Sequence, residues 1–263
     1  MSTSSDKPLL HLSNAQLHYG KRILWENLTM RVRRGELIAI LGPNGVGKTT
    51  LLRAIQGLAP LTEGEILVAG KRAHPGNAAI GYIPQQKSIT DDFPIRGRDL
   101  VHLGLTGHKW GVGLPWHRKK EAAQVEHALA EVDATAFADQ VVGSLSGGEQ
   151  QRIRVAQALV SNPQLLLCDE PLLSLDPAQQ HRFMELLDHQ RKTRGMAVLF
   201  VTHEINPVLP YVDRVLYLTA SGHRCGTVSE VMNSETLTEL YGSRITVAEV
   251  GGQLVMVGAE AYR

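Results

Sequence analysis

Residues 42–49, Gly42-Pro43-Asn44-Gly45-Val46-Gly47-Lys48-Thr49, match the pattern G-x-x-x-x-G-K-[ST] at every fixed position. Residues Glu36 to Leu41, which are apolar after the first, precede this stretch and have the length of a short buried strand. The residues that follow, Thr50 to Ile55, show the apolar spacing of a helix. Because glycine lets successive backbone N–H groups curve around an anion at a helix N-terminus, the stretch predicts a polyphosphate site.

Two side chains at the end of this stretch are candidates for direct contacts with phosphate and metal. Lys48 is expected to neutralise the β- and γ-phosphates, and the Thr49 hydroxyl to bind Mg²⁺. The predicted contacts run from Gly42 through Thr50. The alternative is a glycine-rich turn with an incidental lysine, but the flanking strand and helix signals favour a phosphate site.

Size, charge and apolar runs exclude several classes of protein. The chain has 263 residues, enough for one large domain or for one domain with an insertion. Its 27 basic and 26 acidic residues leave a formal net charge of +1, unlike the strongly basic surface of a nucleic-acid-binding protein. The longest apolar runs fall far short of the roughly 18 residues that a membrane span needs. The N-terminal residues also lack the pattern of a secretory signal.

Cysteine and histidine usage predicts neither a disulfide framework nor a histidine metal centre. Cys168, in an apolar run, and Cys225, beside a glycine, are typical of a protein in a reducing cytoplasm. The 11 histidines are scattered, and His203-Glu204 is not followed by a second histidine at the spacing of an H-E-x-x-H helix. We therefore expect the histidines to be solvated or packed.

Alternating apolar and polar residues around the phosphate stretch indicate strands. Leu28, Met30 and Val32 alternate with polar residues, and Glu65 to Val68 has the pattern of another strand. These segments predict an antiparallel β layer next to the phosphate site. Tyr19, at a turn of this layer, is a candidate for stacking on a nucleotide base, with an ordinary strand tyrosine as an equal alternative.

Two strand ends further along the chain carry acids and a histidine. The apolar run Leu165 to Cys168 ends in Asp169 and Glu170. Ligands bind at the carboxyl ends of strands in parallel sheets, so Asp169 is expected to hold Mg²⁺ through its outer shell and Glu170 to polarise a water molecule. A further apolar run, Ala197 to Val201, ends near His203, which could hydrogen-bond a γ-phosphate.

Two other segments are weaker signals when taken alone. Ile80 to Gln85 has the pattern of a strand that ends at a proline and a glutamine. Ser146, Gly147, Gly148 and Glu149 precede an amphipathic helix. A serine followed by glycines at a helix N-terminus could bind a second phosphate, or it could serve only as a cap.

Taken in order, these motifs resemble those of the ATP-binding subunits of ABC transporters, from roughly Leu10 to Glu230. The serine and glycine element makes the set specific, because other P-loop ATPases lack it. The resemblance implies ATP and Mg²⁺ as ligands. It also implies these roles: base stacking by Tyr19, Walker A contacts from Gly42 to Thr49, a Q-loop glutamine that senses Mg²⁺ at Gln85, the signature from Ser146 to Glu149, Walker B at Asp169, the catalytic base at Glu170, the D-loop acid at Asp176 and the switch histidine at His203.

The same resemblance implies an α/β fold with several parts. It consists of a P-loop NTPase core with a mostly parallel sheet, an antiparallel β subdomain and an inserted α-helical subdomain at about residues 88–160. Near the start of this insertion, the local sequence favours Pro94 as a first helical position. The ATP-binding domain would span residues 8–240. Gly251-Gly252 lies between two apolar segments and predicts a short β-hairpin in residues 241–263, to which we assign no chemistry.

Within the family, two segments are similar to the importers of manganese, zinc and iron. These segments are Asp91 to Ile95, with the residues just after it, and Leu240-Tyr241-Gly242. Arg96 and Gly97 depart from the residues typical of that group, so contacts with the permease are expected to differ in detail. Glu149 is a second departure, because the family most often has glutamine there. An acid near phosphate is mildly repulsive, but the serine and the backbone N–H groups are expected to preserve activity.

The resemblance also implies the partners. Two copies would form a head-to-tail homodimer, with each ATP between the Walker A loop of one chain and the signature of the other. The other partners would be integral membrane permease subunits and, indirectly, an extracytoplasmic solute-binding protein, with no nucleic acid. The chain would then lie at the cytoplasmic face of the cell membrane, and the insertion near Phe93 would contact the permease.

Alternatives stay open at this point. A soluble ABC-type ATPase could act in iron–sulfur cluster assembly without transport. An ABC protein could act on ribosomes or DNA, although a single Walker A motif, no long heptad insertion and near-neutral charge count against this. An exporter is possible too, because the permease sets the direction. Zinc, manganese and iron are not distinguished, because this subunit contacts nucleotide and permease rather than cargo.

Overall fold

A computed structural model describes residues 7–20, 22–85, 94–107, 115–173 and 175–258. The strands, in chain order, are β1 (Leu10–Tyr19), β2 (Arg22–Val32), β3 (Leu37–Leu41), β4 (Glu63–Val68), β5 (Lys71–Arg72), β6 (Ile80–Ile83), β7 (Leu165–Asp169), β8 (Ala197–Val201), β9 (Arg214–Leu218), β10 (His223–Gly226), β11 (Ile245–Val250) and β12 (Gln253–Gly258). The helices are α1 (Lys48–Ile55), α2 (Gly97–Thr106), α3 (Pro115–Ala130), α4 (Gly147–Leu159), α5 (Pro177–Arg194), α6 (Val228–Val231) and α7 (Ser234–Tyr241). Among these helices, none is both long and apolar enough to cross a bilayer.

A six-stranded sheet with the order β10-β9-β3-β8-β7-β6 forms the centre of the structure. All neighbouring pairs are parallel except β10 with β9. Every residue of β3, β7 and β8 is buried, as expected for parallel strands that are covered on both faces. The predicted mostly parallel sheet is therefore confirmed.

Alternate residues of the central strands enter two hydrophobic cores. In β3, Ile38 and Ile40 pack with α1 and with the antiparallel sheet β2-β1-β4-β5, which confirms the predicted antiparallel layer. Leu37 and Ala39, one position out of phase, pack with the helices on the other face. This alternation follows from the two-residue period of a strand, so one short apolar run can serve both layers.

Helices α2, α3 and α4 lie between β6 and β7 in the chain and share the second of these cores. We predicted Pro94 as a first helical position, and this is wrong, because α2 begins at Gly97. The backbone of the preceding residues is extended and pairs with a distant segment: Arg96 bridges Val141, and the Val142 N–H donates to the Ile95 carbonyl at 2.9 Å. The predicted boundaries of the helical subdomain stay a prediction, because residues 86–93 lie outside the described ranges.

The two C-terminal strands form an antiparallel hairpin. Val250 of β11 pairs with Gln253 of β12 across the two-residue turn. Both turn residues have positive φ angles, 60° at Gly251 and 77° at Gly252, a conformation that suits glycine and matches the twist of the strands. The predicted hairpin is therefore confirmed.

Arg191 connects α5 to the start of the central strand β3. Its guanidinium donates to the Gly35 carbonyl at 2.8 Å and to the Asp213 carboxylate at 2.6 Å, and Asp213 also accepts the Leu37 N–H at 2.7 Å. A second carboxylate, Asp188, accepts from Arg191 at 2.7 Å. The arginine side chain is only 8% exposed, so these partners compensate the cost of burying its charge.

We expect Arg191→Ala to lower the free energy of unfolding by about 3 kcal/mol, because it takes a buried donor away from the Asp188 carboxylate, which is only 11% exposed, and from the Gly35 carbonyl. Urea denaturation followed by circular dichroism measures this change. Lys192→Ala is the matched control, because Lys192 contacts the same Asp188 at 2.7 Å but its side chain is 68% exposed. Equal losses in the two variants would contradict the structural role of Arg191.

Candidate active site

The carboxyl ends of four parallel strands meet at one edge of the central sheet. Strands β3, β8, β7 and β6 are consecutive neighbours in that sheet. The residues at or just beyond these ends are the glycine-rich loop after β3, His203 after β8, Asp169 and Glu170 at the end of β7, and Gln85 after β6. Strand order therefore brings together segments that are far apart in the sequence, as predicted for a ligand site in a parallel sheet.

The loop between β3 and α1 has a backbone that only glycine fits at two positions. A Cβ on Gly42 would lie 2.1 Å from the Leu218 carbonyl oxygen, and the φ angle of Gly42 is +140°. Gly47 has φ +101° and is the N-cap of α1, so Lys48, Thr49 and Thr50 form the first turn of that helix. The loop thus ends at the positive end of a helix dipole, as the phosphate-site prediction requires.

Lys48 lies across this loop and is 5% exposed. Its ammonium group donates to the Gly42 carbonyl at 2.7 Å and to the Pro43 carbonyl at 3.1 Å. Burial lowers the pKa of Lys48, while the charges of Glu170 and Asp169 act in the opposite direction. A cation that is desolvated and close to a helix N-terminus is well suited to bind an anion.

Asp169 receives two hydrogen bonds from side chains on either side of it. The Thr49 hydroxyl donates to one carboxylate oxygen at 3.0 Å, and the Tyr82 hydroxyl donates to the other at 3.2 Å. Burial raises the pKa of Asp169, and both hydrogen bonds oppose this shift because they stabilise the charged form. Thr49 and Asp169 are thus placed side by side.

Glu170 is contacted by two of the other predicted site residues. Gln85 donates its amide N–H to Glu170 Oε2 at 2.9 Å, and His203 Nε2 contacts Glu170 Oε1. The φ angle of Glu170 is +50°, which is unusual for a residue other than glycine and concentrates at functional sites. These three residues therefore meet at one carboxylate.

Ser146 and Glu149 form a capping box at the start of α4. The Ser146 hydroxyl donates to the Glu149 carboxylate at 2.7 Å, and the Glu149 N–H donates back to the serine oxygen at 3.4 Å. Hydrogen bonds from the Ser146 side chain and backbone lower the pKa of Glu149. Ser146, Gly148 and Glu149 line a cavity of about 770 Å³. A separate cavity of about 550 Å³ is lined by Thr49, Gln85 and Asp169.

Asp176 and Tyr19 complete the set of predicted site residues. Asp176 is exposed and is the N-cap of α5, where it accepts the Gln179 N–H at 2.8 Å. The backbone of Tyr19 ends β1 and pairs with Arg22. The side chain of Tyr19 lies outside what the structure describes, so base stacking stays a prediction.

The donor set at Asp169 fits Mg²⁺ better than a transition metal. Mg²⁺ in phosphate sites takes oxygen ligands, one or two carboxylates and several waters or phosphates, and Thr49 with Asp169 offers such oxygens. In the ranges that the structure describes, no group of three or more His, Cys, Asp or Glu side chains could hold a metal ion. The loop and its neighbours could therefore hold a magnesium nucleotide.

Two residues near the site were not found from the sequence. Tyr82 lies in a predicted strand, but its hydroxyl contact with Asp169 depends on the pairing of β6 with β7. The indole N–H of Trp25 is buried without a hydrogen-bond partner in the described part of the chain, and it lies 3.2 Å from where a Cβ of Gly47 would be. Neither residue carries a motif, so no local signal pointed to them.

Comparison with known proteins agrees with this geometry. Residues 25–173 match the family described as ABC transporter. The zinc transport system ATP-binding protein TroB of Treponema pallidum (strain Nichols) is 38% identical over 226 residues, which cover 86% of this chain and 84% of that protein. The manganese transport system ATP-binding protein MntB of Bacillus subtilis (strain 168) is 35% identical over 90% of this chain and 94% of its own length.

One solved structure covers almost the whole chain. It is that of a metal-chelate type ABC transporter in an inward-facing conformation, with a TM-score of 0.79 and 27% identity over 98% of this chain and 99% of that chain. The fold and the glycine-rich loop define a P-loop ATPase. The chain belongs to the ABC transporter family. It is an ATP-binding ATPase subunit of that family.

Proposed function

We propose that the chain is the ATP-hydrolysing subunit of an importer for a transition-metal ion or metal chelate, with zinc and manganese as the first candidates. Similarity to metal transporters over most of the chain supports this cargo class. The zinc and manganese proteins are 38% and 35% identical over 86% and 90% of the chain, and the solved metal-chelate transporter spans 98% of it. The family membership supports ATP as the energy source.

In this proposal, the loop from Gly42 to Thr50 binds the triphosphate. Its N–H groups and the α1 dipole would face the phosphates, and the Lys48 ammonium would leave its carbonyl partners for the β- and γ-phosphates. The Thr49 hydroxyl and the Asp169 carboxylate would hold Mg²⁺, with Gln85 near it. Bound Mg²⁺ would supply positive charge that offsets the charge of the phosphates.

Glu170 would act as the general base that takes a proton from the attacking water. Gln85 and His203 now contact its two carboxylate oxygens, so one of these contacts must open to admit the water. The histidine is the better candidate to move, because it would then hydrogen-bond the γ-phosphate. A positioned base contributes about 10²- to 10⁴-fold to the rate of such a step.

A second copy of the chain would complete each site. Ser146 and Gly148 line a cavity different from that of Thr49 and Asp169, and a facing copy would bring the two cavities to one nucleotide. Asp176, close to the same cavity through Gln179, would lie at this interface. ATP would then stabilise the closed homodimer, and hydrolysis would let it reopen.

The permease would contact the groove between the core and the helical region. The cavity of about 550 Å³ that Thr49 and Asp169 line extends to this groove, where Pro84, Leu100 and Arg154 line it next to Gln85. Gln85 also contacts Glu170, so a movement of the permease could reach the base through one glutamine.

The expected contact at Phe93 lies outside the described residues. Through the permease, the chain would sit at the cytoplasmic face of the membrane and serve an extracytoplasmic solute-binding protein.

The function is tested by metal uptake in cells that lack the chain. We expect the unaltered chain to restore uptake of radiolabelled zinc or manganese and to co-purify with a polytopic membrane protein.

Glu170→Gln should bind ATP and dimerise but lose about 10²- to 10⁴-fold in hydrolysis, because the base is gone. Lys48→Ala should fail already at ATP binding. Normal uptake with Glu170→Gln would refute the assignment, and a chain without a membrane partner would favour cofactor assembly.

Tyr82→Phe should weaken Mg²⁺-dependent ATP binding about tenfold, because a hydrogen bond to a charged group is lost from Asp169. ATP binding without Mg²⁺ should not change. Fluorescence titration with a labelled ATP analogue, with and without Mg²⁺, measures both affinities. Tyr217→Phe is the control, because its hydroxyl pairs with that of Tyr241 at 2.9 Å. The same loss in both variants would speak against a role for Tyr82.

Glu149→Gln should strengthen ATP-driven dimerisation, because it removes a negative charge next to the phosphates of the facing copy. The same change should slightly lower the Tm, since it removes an acid from the first turn of α4. Glu230→Gln is the matched control, because Glu230 caps α6 in an identical capping box. Gel filtration with ATP and thermal melting measure the two effects. Weaker dimerisation of Glu149→Gln would contradict this account.

A further inference from the structure

In the described part of the chain, the hydrogen bonds between the C-terminal hairpin and the segment that carries His203 come from one side chain, that of Asn206. The Asn206 amide group donates to the Leu254 carbonyl at 3.1 Å, and its oxygen accepts the Leu254 N–H at 2.8 Å. Both partners belong to the backbone of β12. A single asparagine therefore joins the switch segment, residues 202–206, to a hairpin that the proposed function does not use.

The geometry of this contact is that of an added strand. In an antiparallel pair, the N–H and the C=O of one residue point to the same side. The N–H and the C=O of Leu254 are both hydrogen-bonded to Asn206, so both lie on the edge of β12 that faces away from β11. An asparagine side chain offers one donor and one acceptor as a backbone amide does, and it satisfies an edge that would otherwise remain unpaired.

The switch segment is fixed on both sides of His203. The residues directly before and after His203 are bonded to each other: the Thr202 hydroxyl donates to the Glu204 carbonyl at 2.9 Å and accepts the Glu204 N–H at 3.2 Å. Further along the chain, Ile205 is buried in the core, and the Asn206 side chain is hydrogen-bonded to Leu254. The His203 side chain itself is 39% exposed, so the backbone on either side of it sets where its ring lies.

The hairpin is held in place independently of Asn206. Its first strand is bound to α7, because the Ser234 hydroxyl accepts the Val247 N–H at 2.8 Å and the Thr238 hydroxyl accepts the Ile245 N–H at 3.0 Å. The inner face of the hairpin adds to the same core as the helices. The hairpin is therefore a fixed support to which Asn206 can tie the switch segment.

A cavity of about 430 Å³ shows how close the hairpin lies to the nucleotide loop. It is lined by Pro43 and Asn44 of the loop, His203, and Met256 of the hairpin, together with Tyr217 and Tyr241. The start of the glycine-rich loop, the histidine and the hairpin thus surround one space. A shift of the hairpin relative to the switch segment would change the position of His203 next to Glu170 and the loop.

We propose that Asn206 is a positioning residue through which the C-terminal hairpin holds His203 in place for hydrolysis. This inference rests on the proposed role of His203 at the γ-phosphate. Lys48 and Thr49 are not among the residues that line this cavity, so we expect the effect on the chemical step and not on ATP affinity. The hairpin is then part of the catalytic apparatus, although it lies outside the nucleotide site.

The test compares kcat with ATP affinity in the full-length chain. Asn206→Ala should lower kcat about tenfold or more, because small displacements of a catalytic group have large effects on rate, and should leave the Kd for ATP unchanged. Asn233→Ala is the matched control. Asn233 caps α7 and accepts the Thr236 N–H at 2.9 Å, so its loss destabilises the same end of the chain but leaves the contact with Leu254.

A further variant keeps the outcome decisive if the alanine variant folds poorly. Asn206→Asp keeps an acceptor for the Leu254 N–H and loses the donor, so its kcat should lie between those of the unaltered chain and Asn206→Ala. An unchanged kcat in Asn206→Ala, or a parallel loss in Asn233→Ala, would overturn the inference.

His203→Ala separates this inference from the proposed function. If His203→Ala hydrolyses ATP at the rate of the unaltered chain, the proposed role of the histidine fails. If His203→Ala is inactive and Asn206→Ala is fully active, only the role of the hairpin fails.

Discussion

The backbone of Val201 joins the strand ends on which the active site depends. Val201 pairs with Ile40 of β3 on one side and with Asp169 of β7 on the other. Its carbonyl also accepts the Glu170 N–H at 3.0 Å. Because side chains alternate along a strand, a slip of one residue in either pairing would turn an acid or an apolar residue to the wrong face. The register of three buried strands thus decides whether the loop, the acids and the histidine meet.

The polar groups at this edge are costly to bury and are therefore arranged to compensate one another. Burial lowers the pKa of Lys48 and raises that of Asp169, and each group's charge opposes the shift of the other. Hydrogen bonds from Thr49 and Tyr82 further stabilise the Asp169 carboxylate. Glu170 adds a φ angle of +50°, a backbone strain that the surrounding sheet maintains. Such an arrangement favours a site prepared for charged ligands over one that only stabilises the fold.

Two kinds of contact position the groups at this edge of the sheet. The strand ends are joined by backbone pairing, whereas Gln85 and His203 contact Glu170 through their side chains. In the proposed function, Gln85 would transmit the state of the permease and His203 that of the nucleotide. The contact of Asn206 with the hairpin would then limit how far the histidine can move. Glu170 would then be the point at which these influences meet.

Local sequence patterns were sufficient for the elements whose signals are themselves local. The glycine loop, the apolar runs that end in Asp169 and His203, and the Gly251-Gly252 turn all follow from backbone freedom and side-chain period. The helix start at Pro94 was predicted wrongly, since pairing of residues 95–98 with residues 138–142 outweighed the local preference. The contacts of Tyr82 with Asp169 and of Asn206 with Leu254 could not be predicted. They join residues that lie far apart in the chain, and only strand order and packing bring them within hydrogen-bonding distance.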